Sequence, residues 1–236
     1  MKRKLFLATL LALALFINSN AFAQSQVREL PVFTEVSLRV AAKVTVVQGA
    51  QQSIEIDAAK STLDELITEV RGRTLIIRYP SRSRFNRSFN AGEVKIKVTV
   101  PEITALNISG SGDILADRLS TLILDLNISG SGSIKIKQLE VDRVKATISG
   151  SGDILIDGGT RASEFNATIS GSGNIKAANY EAAAVSLRIA GSGNAHIQSI
   201  SNLYARIAGS GSIYYTGNPS IDISVAGSGK VVDSNR

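Results

Sequence analysis

The chain lacks several residue types on which protein chemistry commonly depends. Its 236 residues include no cysteine, no tryptophan and a single histidine, His196. The absence of cysteine excludes a disulfide framework, a lipid-modified cysteine and a thiolate metal site. One histidine cannot serve as the general base for a nucleophile repeated along the chain. We therefore predict no catalytic residues, no metal site and no cofactor, and a fold that is stabilised by packing alone.

Long apolar runs are absent beyond the start of the chain. Lys2, Arg3 and Lys4 precede an apolar stretch, 5–17, and Ala21-Phe22-Ala23 has the small-x-small pattern of a cleavage site. The stretch is shorter than the roughly 20 residues that a membrane span requires. Residues 1–23 are therefore predicted to be a secretory signal peptide. The mature protein is expected in the periplasm, on the outer cell surface or in the medium, with no transmembrane segment after cleavage.

A large excess of positive charge is also missing once the signal peptide is removed. The remaining chain has 23 basic and 20 acidic residues, a net charge of +3. A nucleic-acid-binding protein would carry a much larger basic excess, so nucleic acid is excluded as a partner.

The excess of positive charge lies in a polar loop, 80–92, that begins with proline and ends with glycine. Aromatic residues interleaved with arginines are typical of a binding surface. The loop is therefore a predicted binding site, with a basic loop that binds nothing as the alternative. Its candidate residues are Arg82, Arg84, Phe85, Arg87 and Phe89.

Seven copies of a short motif dominate the second half of the chain. Each copy reads aliphatic, small, Gly-Ser-Gly, variable, aliphatic, and the copies begin 18 to 21 residues apart, at Ile108, Ile128, Ile148, Ile169, Ile189, Ile207 and Val225. A period near 20 indicates stacked supersecondary units. The glycines are predicted to form tight corners, because glycine adopts backbone angles that other residues avoid. They are Gly110, Gly112, Gly130, Gly132, Gly150, Gly152, Gly171, Gly173, Gly191, Gly193, Gly209, Gly211, Gly227 and Gly229.

Two architectures fit strands on both sides of a glycine corner. In an antiparallel meander each motif is a hairpin tip, whereas in a β-solenoid each period is one coil. The solenoid is favoured, because its coils stack equivalent residues in matched ladders. The residue before the first glycine is always Ser or Ala, as at Ser149 and Ala190, which predicts a limit on side-chain volume there. The middle serine is predicted to hydrogen-bond neighbouring backbone through its hydroxyl.

The predicted organisation after the signal peptide has two parts. Residues 24–105 lack the motif but alternate apolar and polar residues, so they are expected to form irregular β-rich coils. Within them, 58–67 is the one segment with a helical pattern. Residues 106–236 are expected to form the regular solenoid repeats.

The order of three segments resembles a known family. Phe33-Thr34-Glu35-Val36 precedes VTVVQG at 44–49, Thr68-Glu69-Val70 precedes TLII at 74–77, and VTVPE at 98–102 leads into the first motif. In this order the chain resembles the head GIN domain family, named from auto-transporter adhesins of Bacteroidetes-type bacteria. The resemblance implies an all-β fold, a right-handed parallel β-helix, and a secreted or periplasmic adhesin-like role.

The expected function is binding without catalysis. We predict an adhesin-like or scaffold module that binds a glycan or protein of the cell envelope, and self-association is left open. The alternative is a carbohydrate-active enzyme, a hydrolase or lyase on a β-helix, using carboxylates such as Asp113 and Asp153. Gly-Ser-Gly is not a nucleophile elbow, which requires Gly-x-Ser-x-Gly and a histidine. Calcium is disfavoured because the position of Asp113 is not acidic in most repeats.

Overall fold

The computed structural model describes residues 24–80 and 92–235. In chain order the elements are β1 (Gln24–Val27), β2 (Glu35–Leu38), β3 (Lys43–Gln48), β4 (Ser53–Ala58), α1 (Lys60–Glu65), β5 (Ile67–Arg71), β6 (Thr74–Arg78), β7 (Lys95–Val100), β8 (Ala105–Gly110), β9 (Asp113–Gly130), β10 (Ser133–Gly150), β11 (Asp153–Ile156), β12 (Ala162–Gly171), β13 (Asn174–Gly191), β14 (Asn194–Gly209), β15 (Ser212–Thr216), β16 (Ser220–Gly227) and β17 (Lys230–Asp233). The predicted all-β parallel solenoid is confirmed.

Parallel pairing between successive repeats distinguishes the solenoid from the meander. β9 and β10 pair in parallel from Asp113 opposite Ser133 to Gly130 opposite Gly150. The long strands begin after one Gly-Ser-Gly corner and end at the next, so one period is one coil. The first aliphatic residues of the seven motifs stack in one column: Ile108, Ile128, Ile148, Ile169, Ile189, Ile207 and Val225.

Coils at the N-terminal end are not stacked in the order of the sequence. β2 pairs with both β6 and β8, and β3 pairs with both β7 and β9. The coil formed by β2 and β3 therefore lies between the β6–β7 coil and the first motif coil. Beyond it, β4 pairs antiparallel with β7, and β1 pairs antiparallel with β4. These antiparallel strands close this end of the sheet.

The core is a continuous aliphatic column inside the coils. Strand residues alternate, with inward aliphatic side chains almost fully buried and outward side chains exposed. α1 is shorter than the helical pattern predicted and buries Thr62 and Leu63 against the N-terminal end. No helix within residues 24–80 and 92–235 is long and apolar enough to cross a membrane.

The C-terminal end of the column has no covering element among the described residues. Ile221, Ile223 and Val225 point inward but remain 43%, 43% and 39% exposed. Their partners in the preceding coil, which are covered, are at most 3% exposed. The solenoid is therefore closed at one end and open at the other.

Candidate binding face

The first glycine of each motif has a backbone conformation that side chains disfavour. Its φ lies between +121° and +132° in all seven motifs, from Gly227 to Gly209. The same glycines carry the bonds between coils: the carbonyl of Gly130 accepts hydrogen bonds from Ser151 N–H at 2.9 Å, and that of Gly150 accepts from Ser172 and Gly173. Each corner is therefore hydrogen-bonded to the corner above it.

The second glycine of each motif is required for a different reason. Its φ is not positive, but a Cβ on Gly152 would lie 2.6 Å from the carbonyl oxygen of Gly132 and 2.6 Å from Ile128 Cγ2. Such distances are far inside normal contact. Space between coils, and not backbone angle, therefore excludes a side chain at this position.

Two expectations about the corner residues are wrong. The seven middle serines are exposed, and in the described chain five of them bond to the neighbouring coil through their backbone N–H groups and not through their hydroxyls. The Ser-or-Ala position is also exposed, as at Ser149 and Ala190. Its side chains point to solvent, so the stacking of coils does not limit their volume.

A polar ladder does exist, one residue beyond each corner, where the sequence analysis expected only a variable position. Asn174 Nδ2 donates to Asp153 Oδ1 at 2.8 Å, and Asn194 Nδ2 donates to Asn174 Oδ1 at 3.3 Å. Below them, the Ser133 hydroxyl donates to Asp113. Asp113 and Asp153 are thus acceptors in a structural ladder, and they lie two coils apart in register.

Two outer faces flank the column of corners. The post-corner face consists of outward side chains on the segments that follow each corner. Two of its lysines lie beside aspartates: Lys137 Nζ lies 2.7 Å from Asp117, and Lys176 Nζ lies 3.5 Å from Asp153. The hydrogen bond that Lys137 donates to the Asp117 carboxylate raises the pKa of Lys137. Part of the positive charge on this face is therefore compensated, while Lys135 forms no ion pair among the described residues.

The pre-corner face consists of outward side chains on the segments that lead into the corners, from β8 to β16. Two shallow hollows adjoin on this face, with volumes of about 240 Å³ and about 540 Å³, and both are lined by Thr168 and Arg188. Lys145 lines the first hollow and Arg206 the second. Three cations and no carboxylate therefore line the pair.

These cations have few partners within the protein. In the described chain, Lys145 and Arg188 form no ion pair, while Arg206 lies 3.7 Å from Asp222. Arg188 and Arg206 are directly opposite each other on β13 and β14. Like charges opposite each other destabilise a sheet. The two arginines are nevertheless adjacent, and a bound anion would relieve their repulsion. Arg188 and Arg206 are therefore a candidate contact for an anion.

An aromatic side chain adds to the same face. Tyr204 is 53% exposed and lies in register with Ser186 and Asp222, one outward position before Arg206. Exposed tyrosine and arginine are enriched where proteins bind partners. The pre-corner face thus combines hydroxyl groups, guanidinium groups and an aromatic ring on a rigid sheet.

The predicted loop site cannot be compared with this face. Arg82, Arg84, Phe85, Arg87 and Phe89 lie outside the described residues. His196 is exposed on the post-corner face, where its ring stacks on Tyr214 with centroids 4.6 Å apart. No group of three or more His, Asp or Glu side chains suited to a metal ion occurs in the described ranges.

The signal for the pre-corner cations was present in the sequence. Arg188 and Arg206 each stand one residue before the motif aliphatic, at Ile189 and Ile207. Aligning the repeats on their glycines places both arginines in one column. The hollows could not be derived in this way, because together they depend on side chains from five coils, β10, β12, β13, β14 and β16.

The stacked coils and glycine corners define a parallel β-solenoid, and comparison with known families agrees. The family model "Putative auto-transporter adhesin, head GIN domain" matches residues 32–219. The chain belongs to this family, and the resemblance drawn from its sequence is confirmed. Its family points to an extracellular or surface location. Among curated proteins, none matches the chain.

Solved structures show the same fold. A putative adhesin from Bacteroides fragilis is 24% identical, with a TM-score of 0.81, covering 89% of this chain and 95% of its own. A putative lipid binding protein from Parabacteroides distasonis is 26% identical, with a TM-score of 0.70, covering 91% and 98%. A putative adhesin from Parabacteroides merdae is 20% identical, with a TM-score of 0.71 and the same coverage.

Proposed function

We propose that this protein is a non-catalytic adhesion module that binds a glycan of the cell envelope on its pre-corner face. In this proposal residues 1–23 are removed on secretion, and the mature solenoid acts outside the cytoplasm. The proposal rests mainly on one observation: two adjoining hollows on a flat face are lined by three cations and no carboxylate.

The chemistry of the face suits a sugar chain. Thr147, Thr168 and Ser186 offer hydroxyl groups that donate and accept hydrogen bonds, and Asn166 offers an amide. The ring of Tyr204 presents an apolar surface with a polar end. A glycan displays the complementary set of hydroxyl groups and apolar ring faces.

Rigidity supports the same function. Every pre-corner segment from β8 to β14 is held by parallel pairing to the coils on both sides, and Asn107 and Asn127 add a side-chain bond of 2.9 Å between neighbouring coils. A preformed surface loses little conformational entropy when it binds. Weak individual sugar contacts can therefore add up along the face.

The alternative function, a carbohydrate-active enzyme, would use two carboxylates that already have hydrogen-bond partners within the protein. Asp113 accepts a hydrogen bond from Ser133, and Asp153 accepts one from Asn174 and lies beside Lys176. Neither carboxylate lines a hollow of the pre-corner face. Their contacts support structural roles, so we propose binding without bond cleavage.

Thr168 provides a direct test because it lines both hollows. Thr168→Trp should fill them without changing charge, and should reduce binding of the mature protein to its best partner on an envelope-glycan array by at least about tenfold. Thr45→Trp is the matched control: Thr45 is also an exposed strand threonine, but on the post-corner face.

The proposal requires both variants to keep the wild-type melting temperature and only Thr168→Trp to lose binding. Undiminished binding by Thr168→Trp would contradict the assignment of the face. Release of new reducing ends from a bound glycan would contradict the non-catalytic role. An array on which no glycan binds would contradict the function itself.

A further inference from the structure

We infer that the ligand of the pre-corner face is an acidic polysaccharide, and that its chain runs along the solenoid axis across several coils. This inference rests on the proposed function and adds the charge of the ligand and its direction. It depends on how Lys145, Arg188 and Arg206 are arranged, and not on their number alone.

Charge on this face is arranged along the axis. Each coil between β10 and β14 contributes at most one cation to the hollows, so no single strand carries two of them. Arg188 and Arg206 are neighbours across the β13–β14 ladder, and Lys145 lies two coils below β13 in the column of Ser186, the next outward column to that of Arg188. A chain lying along one strand would meet one cation, whereas a chain crossing the strands would meet all three.

The span of these cations sets a minimum ligand length. Parallel coils are about 4.8 Å apart, so the three steps from Lys145 to Arg206 cover about 14 Å. One sugar ring cannot reach across this distance. Affinity should therefore rise with oligomer length until the chain spans the four coils, and then level off.

Cations without an ion pair on this face indicate that the ligand carries negative charge. On the post-corner face Lys137 lies beside Asp117 and Lys176 beside Asp153, while Lys135 forms no ion pair among the described residues. Lys145 and Arg188 form no ion pair within the described residues, although Asp125 lies opposite Lys145 on β9. Carboxylates on the sugar would supply the missing charge, and guanidinium groups bind carboxylates well because their fork of donors matches two oxygens.

Asp222 weakens the attraction of an acidic ligand at the C-terminal side of the face. It lies 3.7 Å from Arg206, and both side chains are about half exposed. An acidic ligand must compete with this carboxylate for Arg206. Arg188 is therefore expected to contribute more to affinity than Arg206.

The test uses the mature protein, polygalacturonate as the acidic probe and dextran as the neutral one. Polygalacturonate should bind at least about tenfold more tightly than dextran at low salt, and the advantage should shrink at physiological salt, where exposed charges are screened beyond about 8 Å. Galacturonate oligomers should gain affinity with length until they span the four coils. Arg188→Gln and Lys145→Gln should each weaken polygalacturonate binding several-fold. Lys135→Gln is the matched control, an exposed lysine of the post-corner face.

Each result has one meaning. Equal binding of dextran and polygalacturonate would overturn the acidic ligand while leaving glycan binding intact. An equal loss in Lys135→Gln would overturn the assignment of the charge to this face. A monomer that binds as tightly as a longer oligomer would overturn the axial direction. A protein that binds no glycan at all would overturn both this inference and the proposed function.

Discussion

Alanine at the first glycine of a middle corner is expected to destabilise the solenoid strongly. Gly150 has a φ of +126°, and a Cβ there would overlap the carbonyl oxygen of Gly130 and lie 3.2 Å from its carbonyl carbon. The backbone strain costs about 1–3 kcal/mol. The clash also pushes apart two corners joined by the Ser151–Gly130 bond of 2.9 Å, and each weakened hydrogen bond costs about 1 kcal/mol.

The bonds from Ser172 and Gly173 to the Gly150 carbonyl are weakened in the same way, and two to three such bonds bring the total for Gly150→Ala to about 3–6 kcal/mol. For a chain of this size, 1 kcal/mol shifts the melting temperature by about 2–4 °C. We expect a decrease of roughly 10–20 °C, measured by far-ultraviolet circular dichroism on the mature protein.

Gly110 supplies the matched control. It has nearly the same φ, +123°, but a Cβ there would meet nothing within 4 Å, because the coil below has Val40 at this corner and no glycine motif. Gly110→Ala should cost only the backbone strain, about 1–3 kcal/mol. Equal decreases in the two variants would refute the role of crowding between coils, and no decrease in either would refute the role of backbone angle.

Further predictions concern single side chains. Tyr180 is 2% exposed and its hydroxyl has no hydrogen-bond partner among the described residues, so Tyr180→Phe should stabilise the protein by about 1 kcal/mol in urea unfolding. Burial raises the pKa of Tyr180, so as the pH rises this hydroxyl ionises in the unfolded chain before it ionises in the folded protein. The stability of the wild type should therefore fall above about pH 10, and the stability of Tyr180→Phe should fall less. An equal decline in both proteins would contradict this. Asn174→Ala removes two ladder bonds and should cost about 1–2 kcal/mol, whereas an unchanged urea midpoint would mean that the ladder adds no stability. Ser149→Leu should change stability by less than about 0.5 kcal/mol because the site is exposed; a large loss would restore the volume limit inferred from sequence. Replacing the three loop arginines with serine should leave folding intact, and weaker glycan binding in that variant would assign the loop a part in recognition.

The repeats made much of the fold predictable, because a strict period forces equivalent residues into columns. Ile108 and Ile128 follow from the motif alone, and so does the parallel pairing of their strands. The placement of β2 between β6 and β8 did not follow, since these strands share no motif and their pairing spans up to 70 residues.

The candidate site was only partly predictable. The corner glycines could be found from sequence, but their two different requirements, positive φ at Gly150 and empty space at Gly152, needed coordinates. The column of Arg188 and Arg206 could have been found by aligning repeats. The hollows beside it depend on the side chains that each neighbouring coil presents, and no periodic pattern records them.

Hydroxyl-radical footprinting of the mature protein, with and without a bound glycan, tests the central claim most directly. Tyr204 on the pre-corner face is 53% exposed, and Tyr214 on the post-corner face is an internal reference of the same residue type. If the pre-corner face binds the glycan, oxidation of Tyr204 should fall severalfold while oxidation of Tyr214 stays unchanged. Protection of Tyr214 with Tyr204 still fully reactive would contradict the assignment of the binding face.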